Sequence, residues 1–154
     1  MPSFHNERRV RHDAKAMFDL VADVERYPEF VPLCQALRVR RRTTDDQGVE
    51  VLVADMEVGY RAIHEKFTSR VTLDRPRLKI LVEYVDGPFS RLKNIWNFRD
   101  DPRPGFSTVE FFIAYEFRSR ALGVLMGSVF DAAFRRFSAA FEARADLIYG
   151  RKAG

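Results

Sequence analysis

The sequence predicts an α+β fold in which a curved antiparallel sheet wraps around a long C-terminal helix. Three observations lead to this prediction. Apolar and polar residues alternate in several segments in the middle of the chain, as they do in half-buried strands. Short sequences rich in Asp, Gly and Pro separate these segments, and such residues favour turns. Residues 120–149 contain no proline and carry a broad apolar face. We expect one domain that spans residues 1–154.

The N-terminal part is predicted to contain a strand followed by short helices. Asp13 is a candidate N-cap, and Met17, Leu20 and Val21 follow it at helical spacing. Residues 27–32 then contain two prolines, each of which biases the preceding residue away from helix. The helical run is therefore expected to break at this segment.

About six strands are predicted to follow as an antiparallel meander, because short turns join them in sequence. After a strand through Leu37 and Val39, these are residues 49–58, 61–73, 78–85, 91–99 and 109–117. The turns are predicted at residues 45–48, 58–60, 74–76 and 86–88, with a longer loop at residues 100–105. In residues 61–73, Ile63, Phe67 and Val71 share one parity, so one face of that strand should be buried.

Residues 120–149 are predicted to form one long helix that ends at Gly150. Its polar stripe consists of Ser128, Asp131, Arg135, Ser138, Glu142 and Asp146. The opposite face consists of Leu122, Leu125, Met126, Val129, Phe130, Ala133, Phe134, Phe137, Ala140, Phe141, Leu147 and Ile148. A face this wide needs a large covering surface, and the sheet can provide it. A sheet that curves around a helix leaves space between the two, so we expect a mostly apolar pocket there.

Four stretches of the sequence, taken in order, carry a resemblance to a known family. They are MFDLVADVERYPEFVP (residues 17–32), GPFSRL with WNF (residues 87–98), YEF with VFDAAF (residues 115–134), and AFEARA with YG (residues 140–150). They resemble the coenzyme Q-binding, START-like family of the polyketide cyclase/dehydrase superfamily, which also contains the ribosome association toxin RatA. The similarity is co-linear over nearly the whole chain. Quinone-binding members often carry Trp just before the cysteine, where this chain has Leu33.

This resemblance implies a helix-grip fold with a hydrophobic tunnel that takes up ubiquinone or a similar isoprenoid lipid. It implies that the protein chaperones the quinone for the respiratory chain, without catalysis and without a cofactor of its own. For the bacterial branch of the family it implies an alternative role, interference with ribosomal subunit association. A third possibility is a cyclase or aromatase that acts on a small hydrophobic substrate. We expect a monomer.

The candidate ligand-binding residues lie in three places: the double-proline segment with the helix before it, the inner faces of the strands, and the long helix. They are Val21, Tyr27, Phe30, Val31, Pro32, Leu33, Met56, Glu65, Phe67, Asn94, Trp96, Phe98, Phe111, Phe130, Phe134, Phe137 and Phe141. The double-proline segment is interpreted as the rim of the tunnel, where loops commonly carry binding function. The phenylalanines could belong either to the core or to the tunnel wall, since both need large apolar side chains.

Glu65 and Asn94 are the most informative polar residues. By parity, each falls on the apolar face of its strand. A buried unpaired carboxylate is costly, so Glu65 should be paired, protonated or turned to a wet cavity. The other interpretation is a β-bulge that turns either residue outward, since one inserted residue would do so.

Features of common enzyme and metal sites are absent from the sequence. His5, His12 and His64 are scattered, and the single cysteine, Cys34, excludes a multi-cysteine zinc site. No phosphate-binding glycine loop or zinc-protease motif occurs. A cyclase would need an acid/base group in the tunnel, for which only Glu65, Tyr60 and Tyr115 are candidates. We therefore expect neither catalysis nor a bound metal.

The net charge of +4 includes a dense basic run from residue 38 to residue 42. If Leu37 and Val39 face inward, then Arg38, Arg40 and Arg42 share one exposed face. This face could be a solvated edge strand, or it could dock onto anionic lipid headgroups or ribosomal RNA. The sequence shows neither a membrane-spanning stretch nor a secretory signal. We expect a cytoplasmic protein, with peripheral contact at the inner membrane as a further possibility.

Overall fold

The computed structural model describes residues 3–150 and confirms the predicted fold class. In chain order the elements are β1 (Ser3–Val10), α1 (Ala14–Ala22), a 3₁₀ helix (Val24–Glu29), β2 (Cys34–Thr44), β3 (Val49–Tyr60), β4 (Ile63–Asp74), β5 (Lys79–Asp86), β6 (Phe89–Asp100), β7 (Ser107–Phe117) and α2 (Arg120–Tyr149). The seven strands form one antiparallel sheet in the order β1-β7-β6-β5-β4-β3-β2. Since only the β1 pairing joins strands that are far apart in sequence, the rest of the sheet is the predicted meander.

The register of the strands places one continuous row of side chains across the inner face of the sheet. Leu52 of β3 lies opposite Val71 of β4, and Val71 lies opposite Val82 of β5. The row continues through Asn94 of β6 to Ile113 of β7. Directly opposed residues point to the same face of a sheet. Asn94 is therefore a polar member of an otherwise apolar row.

The N-terminal helices begin as predicted but end earlier. The Asp13 side chain caps α1 by accepting a hydrogen bond from the Ala16 amide at 2.7 Å. The helix ends at Ala22, and Val24 already belongs to the 3₁₀ helix, which contains Pro28. The break therefore falls at the α1 C-cap rather than at the prolines, because a short 3₁₀ helix accommodates Pro28.

The long helix α2 has the predicted bounds, but the sheet does not cover its whole apolar face. Ser119 caps it by accepting a hydrogen bond from the Leu122 amide at 3.2 Å, and Gly150 ends it with φ of 83°. The predictions for Leu125, Leu147 and Ile148 are wrong, because these side chains are exposed near the two helix ends. Ser138, which was assigned to the polar stripe, is buried.

The other side of α2 is tied to the N-terminal part of the chain by two charged contacts. Arg8 of β1 donates a hydrogen bond to Glu142 at 2.6 Å, and buried His12 contacts Asp146 at 2.7 Å. The helix packs chiefly on β7, β1 and α1. The strands β2 to β6 therefore curve past it and leave a space on their inner face. Among the described residues, no helix is long and apolar enough to cross a bilayer.

Candidate ligand-binding cavity

A cavity of about 100 Å³ lies between the inner face of the sheet and α2. Strands β2 to β7 supply one wall, α2 supplies the other, and the 3₁₀ helix with the loop after it closes one side. The predicted residues that line it are Tyr27, Pro32, Leu33, Met56, Phe67, Asn94, Trp96, Phe130, Phe134, Phe137 and Phe141. Strand parity and the spacing along α2 select the members that lie on the strands and on α2, whereas the double-proline segment and the family resemblance select Tyr27, Pro32 and Leu33.

The structure places the remaining candidates, Val21, Phe30, Val31, Glu65, Phe98 and Phe111, away from the cavity wall. Phe111 is fully buried behind the wall, and its ring lies 4.7 Å from that of Trp96. Phe98 packs against Phe18 of α1, with ring centroids 5.7 Å apart. These two phenylalanines therefore belong to the core, although they share strand parity with residues of the wall.

The other candidates that do not line the cavity are also kept out of it by their local packing or position. Val21 and Val31 are buried in the core cluster, and the Phe30 ring packs edge-on against Phe141 at 5.0 Å, on the outer side of the wall. Glu65 pairs with Val58 in an unbroken β3–β4 register. No bulge turns Glu65 outward, and it lies half-buried at the end of the strand rather than in the cavity.

Several wall residues were not among the candidates. They are Val24, Leu37, Ala54, Val58, Ser69, Val71, Ile80, Val82, Phe89, Leu92, Ile113 and Ala133. Most could have been found from parity. Ala54 and Val58 lie two residues from Met56 and share its face of β3, and Leu92 shares the face of Asn94 in β6. Strand β5 is apolar on both faces, so parity could not select Ile80 and Val82 there.

Two polar groups are set into the apolar wall. The Asn94 side chain donates to the Phe112 carbonyl at 2.8 Å and accepts from the Trp96 indole N–H at 3.0 Å. These bonds fix its amide and leave one N–H and one oxygen lone pair available. The Ser69 hydroxyl lines the same space, and among residues 3–150 it has no hydrogen-bond partner. In the described part of the chain, Asn94 and Ser69 are thus the wall side chains that keep a hydrogen-bond donor for a ligand.

Burial suppresses ionisation of Tyr27, which lines the cavity, and of Cys34, which follows the rim residue Leu33 in the chain. Tyr27 donates a hydrogen bond to the Val21 carbonyl, and burial raises the pKa of its hydroxyl strongly. Burial also raises the pKa of the Cys34 thiol to about 11. Both groups therefore stay neutral at physiological pH, which suits an apolar ligand.

The helix side of the wall is a stack of aromatic rings. Phe134 lies 5.8 Å from Phe130 and 5.2 Å from Phe137, both edge-on. It also meets Tyr115 of β7 at 5.1 Å. Such edge-on pairs add favourable energy beyond the burial of apolar area. The rings thus join α2 to the sheet and at the same time form the cavity wall.

The rim segment contains a strained residue. Pro32 and Leu33 line the cavity and also a shallow surface groove of about 330 Å³ between α2 and Tyr60. Leu33 has φ of 69°, a left-handed conformation that costs a leucine about 1–2 kcal/mol. Together with Ala133 of α2, which also lines both spaces, these two residues lie between the cavity and the surface groove.

The predicted basic face does not form, because β2 contains a β-bulge between Val39 and Arg41. Arg38 lies opposite Asp55, whereas Arg42 lies opposite Leu52, whose side chain is buried on the inner face. The extra residue therefore turns Arg42 to the other side of the sheet. There it forms ion pairs with Glu25 and Glu50.

Arg40, at the bulge, is also ion-paired, with Asp55 of β3. Asp55 is buried and accepts a second hydrogen bond from the Thr68 hydroxyl. Burial alone would raise the pKa of Asp55, but the bonds from Thr68 and Arg40 outweigh it and hold the pKa below its usual value. Arg40 thus stabilises the sheet instead of contributing to an open basic surface.

The histidines lie far from the cavity. His5 pairs with Glu110 at 2.8 Å on the outer face of the sheet, near Glu7. Arg99 forms ion pairs with both of these glutamates, so their charge is already compensated. His64 contacts Gln35 at the exposed end of β4.

The chain is similar to proteins of two kinds. A family model described as polyketide cyclase / dehydrase and lipid transport matches residues 10–142. The ribosome association toxin RatA of Rickettsia prowazekii is 31% identical over 148 residues, which cover 94% of this chain and 97% of the toxin. The mitochondrial coenzyme Q-binding protein COQ10 homolog B of Xenopus laevis is 32% identical over 139 residues, which cover 88% of this chain and 54% of that protein.

A solved structure shows the same fold at similar sequence identity. The solution structure of the 18 kDa protein CC1736 from Caulobacter crescentus superposes with a TM-score of 0.78 and is 33% identical. It covers 98% of this chain and 100% of its own length. The resemblance inferred from the four sequence stretches is confirmed by these comparisons.

Proposed function

The chain belongs to the polyketide cyclase/dehydrase and lipid transport family, and we propose that it binds and chaperones a hydrophobic isoprenoid ligand, with ubiquinone as the first candidate. The observation that carries this proposal is the cavity, which is lined by apolar and aromatic side chains apart from two available hydrogen-bonding groups. Quinones are apolar rings with carbonyl oxygens that accept hydrogen bonds. A carrier in the cytoplasm that visits the inner membrane would support respiratory electron transport.

The size of the cavity decides how such a ligand could bind. A cavity of about 100 Å³ is smaller than the 300–1,000 Å³ of common ligand pockets, and a dry cavity of about 150 Å³ accommodates benzene. Binding a prenylated ring therefore requires the walls to separate. The rim at Pro32 and Leu33 is a candidate place for this separation, because both residues line the cavity and the surface groove.

The available polar groups favour a ligand with a hydrogen-bond acceptor. The free Asn94 N–H and the Ser69 hydroxyl can both donate. A neutral hydrogen bond contributes about 0.5–1.5 kcal/mol, enough to orient a ring without binding it irreversibly. A pure hydrocarbon would leave both donors without a partner, so carbonyl oxygens should be preferred.

We expect no catalysis in this cavity. Acid/base catalysis needs a group that exchanges protons near neutral pH. Of residues 3–150, those in the wall include no carboxylate and no imidazole. The wall contains the phenol of Tyr27, and burial raises the pKa of this hydroxyl further above the neutral range. This composition of the wall supports the proposal of a binding protein over that of a cyclase or aromatase.

Two measurements test the proposal. Lipid extracted from the purified protein should contain a prenylquinone by mass spectrometry. A water-soluble short-chain ubiquinone should quench the fluorescence of Trp96, the single tryptophan, which lines the cavity. Ser69→Ala should weaken quinone binding about 2- to 10-fold, the equivalent of one hydrogen bond. An alkyl ligand without carbonyl oxygens should bind both proteins equally, and quenching that does not saturate would refute the proposal.

The alternative function is interference with the ribosome, and one observation favours it. The similarity to the RatA toxin covers 97% of that toxin, whereas the similarity to the coenzyme Q-binding protein covers 54% of that protein. Co-sedimentation with ribosomal subunits tests this alternative. A protein that carries no lipid after purification, shows no saturable quinone binding and sediments with the subunits would establish the ribosome-directed role instead.

A further inference from the structure

The surface around the groove exposes large apolar side chains. Val124 and Leu125, in the first turns of α2, are 81% and 61% exposed, and Tyr60 at the end of β3 is 38% exposed. Leu125 lies one helical turn before Val129, which lines the groove together with Tyr60, so the two helix side chains are neighbours. Exposed aliphatic side chains gathered at one opening indicate a surface that contacts another apolar phase.

Two arginines flank the same opening. Arg136 lines the groove, and the Arg61 guanidinium lies over the Tyr60 ring at 5.2 Å. Among residues 3–150 neither forms an ion pair, in contrast to Arg40 and Arg42 of β2. Arg61 also has φ of 56° at the tip of the β3–β4 turn, where its side chain projects from the end of the sheet.

Carboxylates near this opening are few or already paired. Asp131 of α2 is paired with Arg135 at 3.0 Å. Glu65 lies opposite Val58 at the end of the β3–β4 ladder and is half-buried. The two free arginines therefore give the opening a positive charge, which would attract an anionic surface.

We propose that this mouth face, formed by Tyr60, Arg61, Val124, Leu125 and Arg136, docks on an anionic lipid bilayer and presents the groove to it. The aliphatic side chains would enter the interface, and the arginines would contact the lipid phosphates. This proposal rests on the proposed function, because it gives an apolar ligand a route from bilayer to cavity that avoids water. The groove and the cavity meet at Pro32 and Leu33, so docking places the bilayer directly against the rim.

The test is co-sedimentation with vesicles made of phosphatidylcholine and phosphatidylglycerol in equal parts. Val124→Ser/Leu125→Ser should reduce vesicle partitioning by at least about 10-fold, because two largely exposed side chains lose their apolar transfer. The matched control is Leu147→Ser/Ile148→Ser at the other end of α2, where the side chains are 75% and 51% exposed. The control should partition like the wild type.

The charge contribution is tested separately. Arg61→Ser/Arg136→Ser should reduce partitioning about 5-fold per arginine, the equivalent of about 1 kcal/mol each near an anionic surface. The effect should shrink as salt is added and vanish on pure phosphatidylcholine vesicles. Arg38→Ser/Arg41→Ser removes two exposed arginines of β2 that face the outer side of the sheet, and it should change partitioning less than 2-fold.

Equal losses in the mouth variants and their controls, or no loss in the mouth variants, would overturn the docking proposal. Loss of ribosome co-sedimentation by the mouth variants, with unchanged vesicle partitioning, would assign the face to nucleic acid and also overturn it. All variants should still bind soluble short-chain ubiquinone, as measured by Trp96 fluorescence. Failure of the wild type to bind this quinone would refute the proposed function, while the vesicle result would still report on docking.

Discussion

Phe134 offers a direct test of the cavity wall, because it is buried, lines the cavity and touches three other rings. In Phe134→Leu the side chain stays apolar but loses ring contacts with Tyr115, Phe130 and Phe137. Each such contact contributes about 0.5–1.5 kcal/mol, and a smaller side chain partly replaces them. We expect a loss of about 1–2 kcal/mol in the free energy of unfolding and retention of most ligand binding.

Phe134→Asp should have a far larger effect that depends on pH. Removal of the ring costs about 3–5 kcal/mol. The carboxyl group must also remain protonated in an apolar cavity, which at pH 7 costs about 4 kcal/mol relative to an unfolded Asp of pKa about 3.9. The total approaches the whole stability of a typical domain. Because the second contribution grows with pH above about 4, the variant should regain about 2.7 kcal/mol between pH 7 and pH 5.

The assay is urea unfolding at both pH values, followed by the fluorescence of Trp96. Phe18→Leu is the matched control, because Phe18 is fully buried and packs edge-on against Phe98 away from the cavity. It should lose similar stability to Phe134→Leu but keep the wild-type quinone affinity. An Asp variant as stable as the wild type at pH 7 would show that position 134 faces solvent and would refute the assignment of the helix face.

Three further predictions follow from single contacts. Asn94→Leu should cost about 2 kcal/mol or more, because the Trp96 N–H and the Phe112 carbonyl lose a buried partner; thermal melting measures this. Asp55→Asn should be less stable than the wild type at pH 7, and the difference should narrow as the pH falls below about 4, because the unfolded Asp takes up a proton there while the folded carboxylate, whose pKa is lowered, stays ionised. Cys34, whose thiol has a pKa of about 11, should react at pH 8 at least about 100-fold more slowly than in urea.

The fold could be predicted from the sequence because its elements are long and strongly periodic. The alternation in β4 and the spacing along α2 each repeat over many residues, so a local error does not change the assignment. The helix ends were less predictable. Leu147 and Ile148 continue the apolar face of α2, but the sheet does not extend far enough to cover them. Coverage depends on the tertiary arrangement, which local periodicity does not encode.

The candidate site was predictable only as far as parity holds. Parity placed Asn94 and Trp96 on the inner face, where they line the cavity, but it gave Phe98 and Phe111 the same assignment, and these two pack behind the wall. Parity failed altogether at Arg42, because the bulge in β2 shifts the alternation by one residue. The run of arginines has no glycine or proline to mark the bulge.

The closed cavity restricts where a ligand of the proposed class could enter. Helix α2 is held to the sheet on the β7 and β1 side, where Phe134 packs on Tyr115 and Glu142 pairs with Arg8. On the opposite side, the groove lies between α2 and Tyr60, and Pro32, Leu33 and Ala133 line both the groove and the cavity. Opening there would break the hydrogen bond from the Gly59 amide to the Leu33 carbonyl at 3.0 Å, and release of the strained backbone of Leu33 would offset about 1–2 kcal/mol of the cost. For the proposed function, we therefore expect the ligand to enter at the rim, which is also the side that faces the bilayer in the docked orientation.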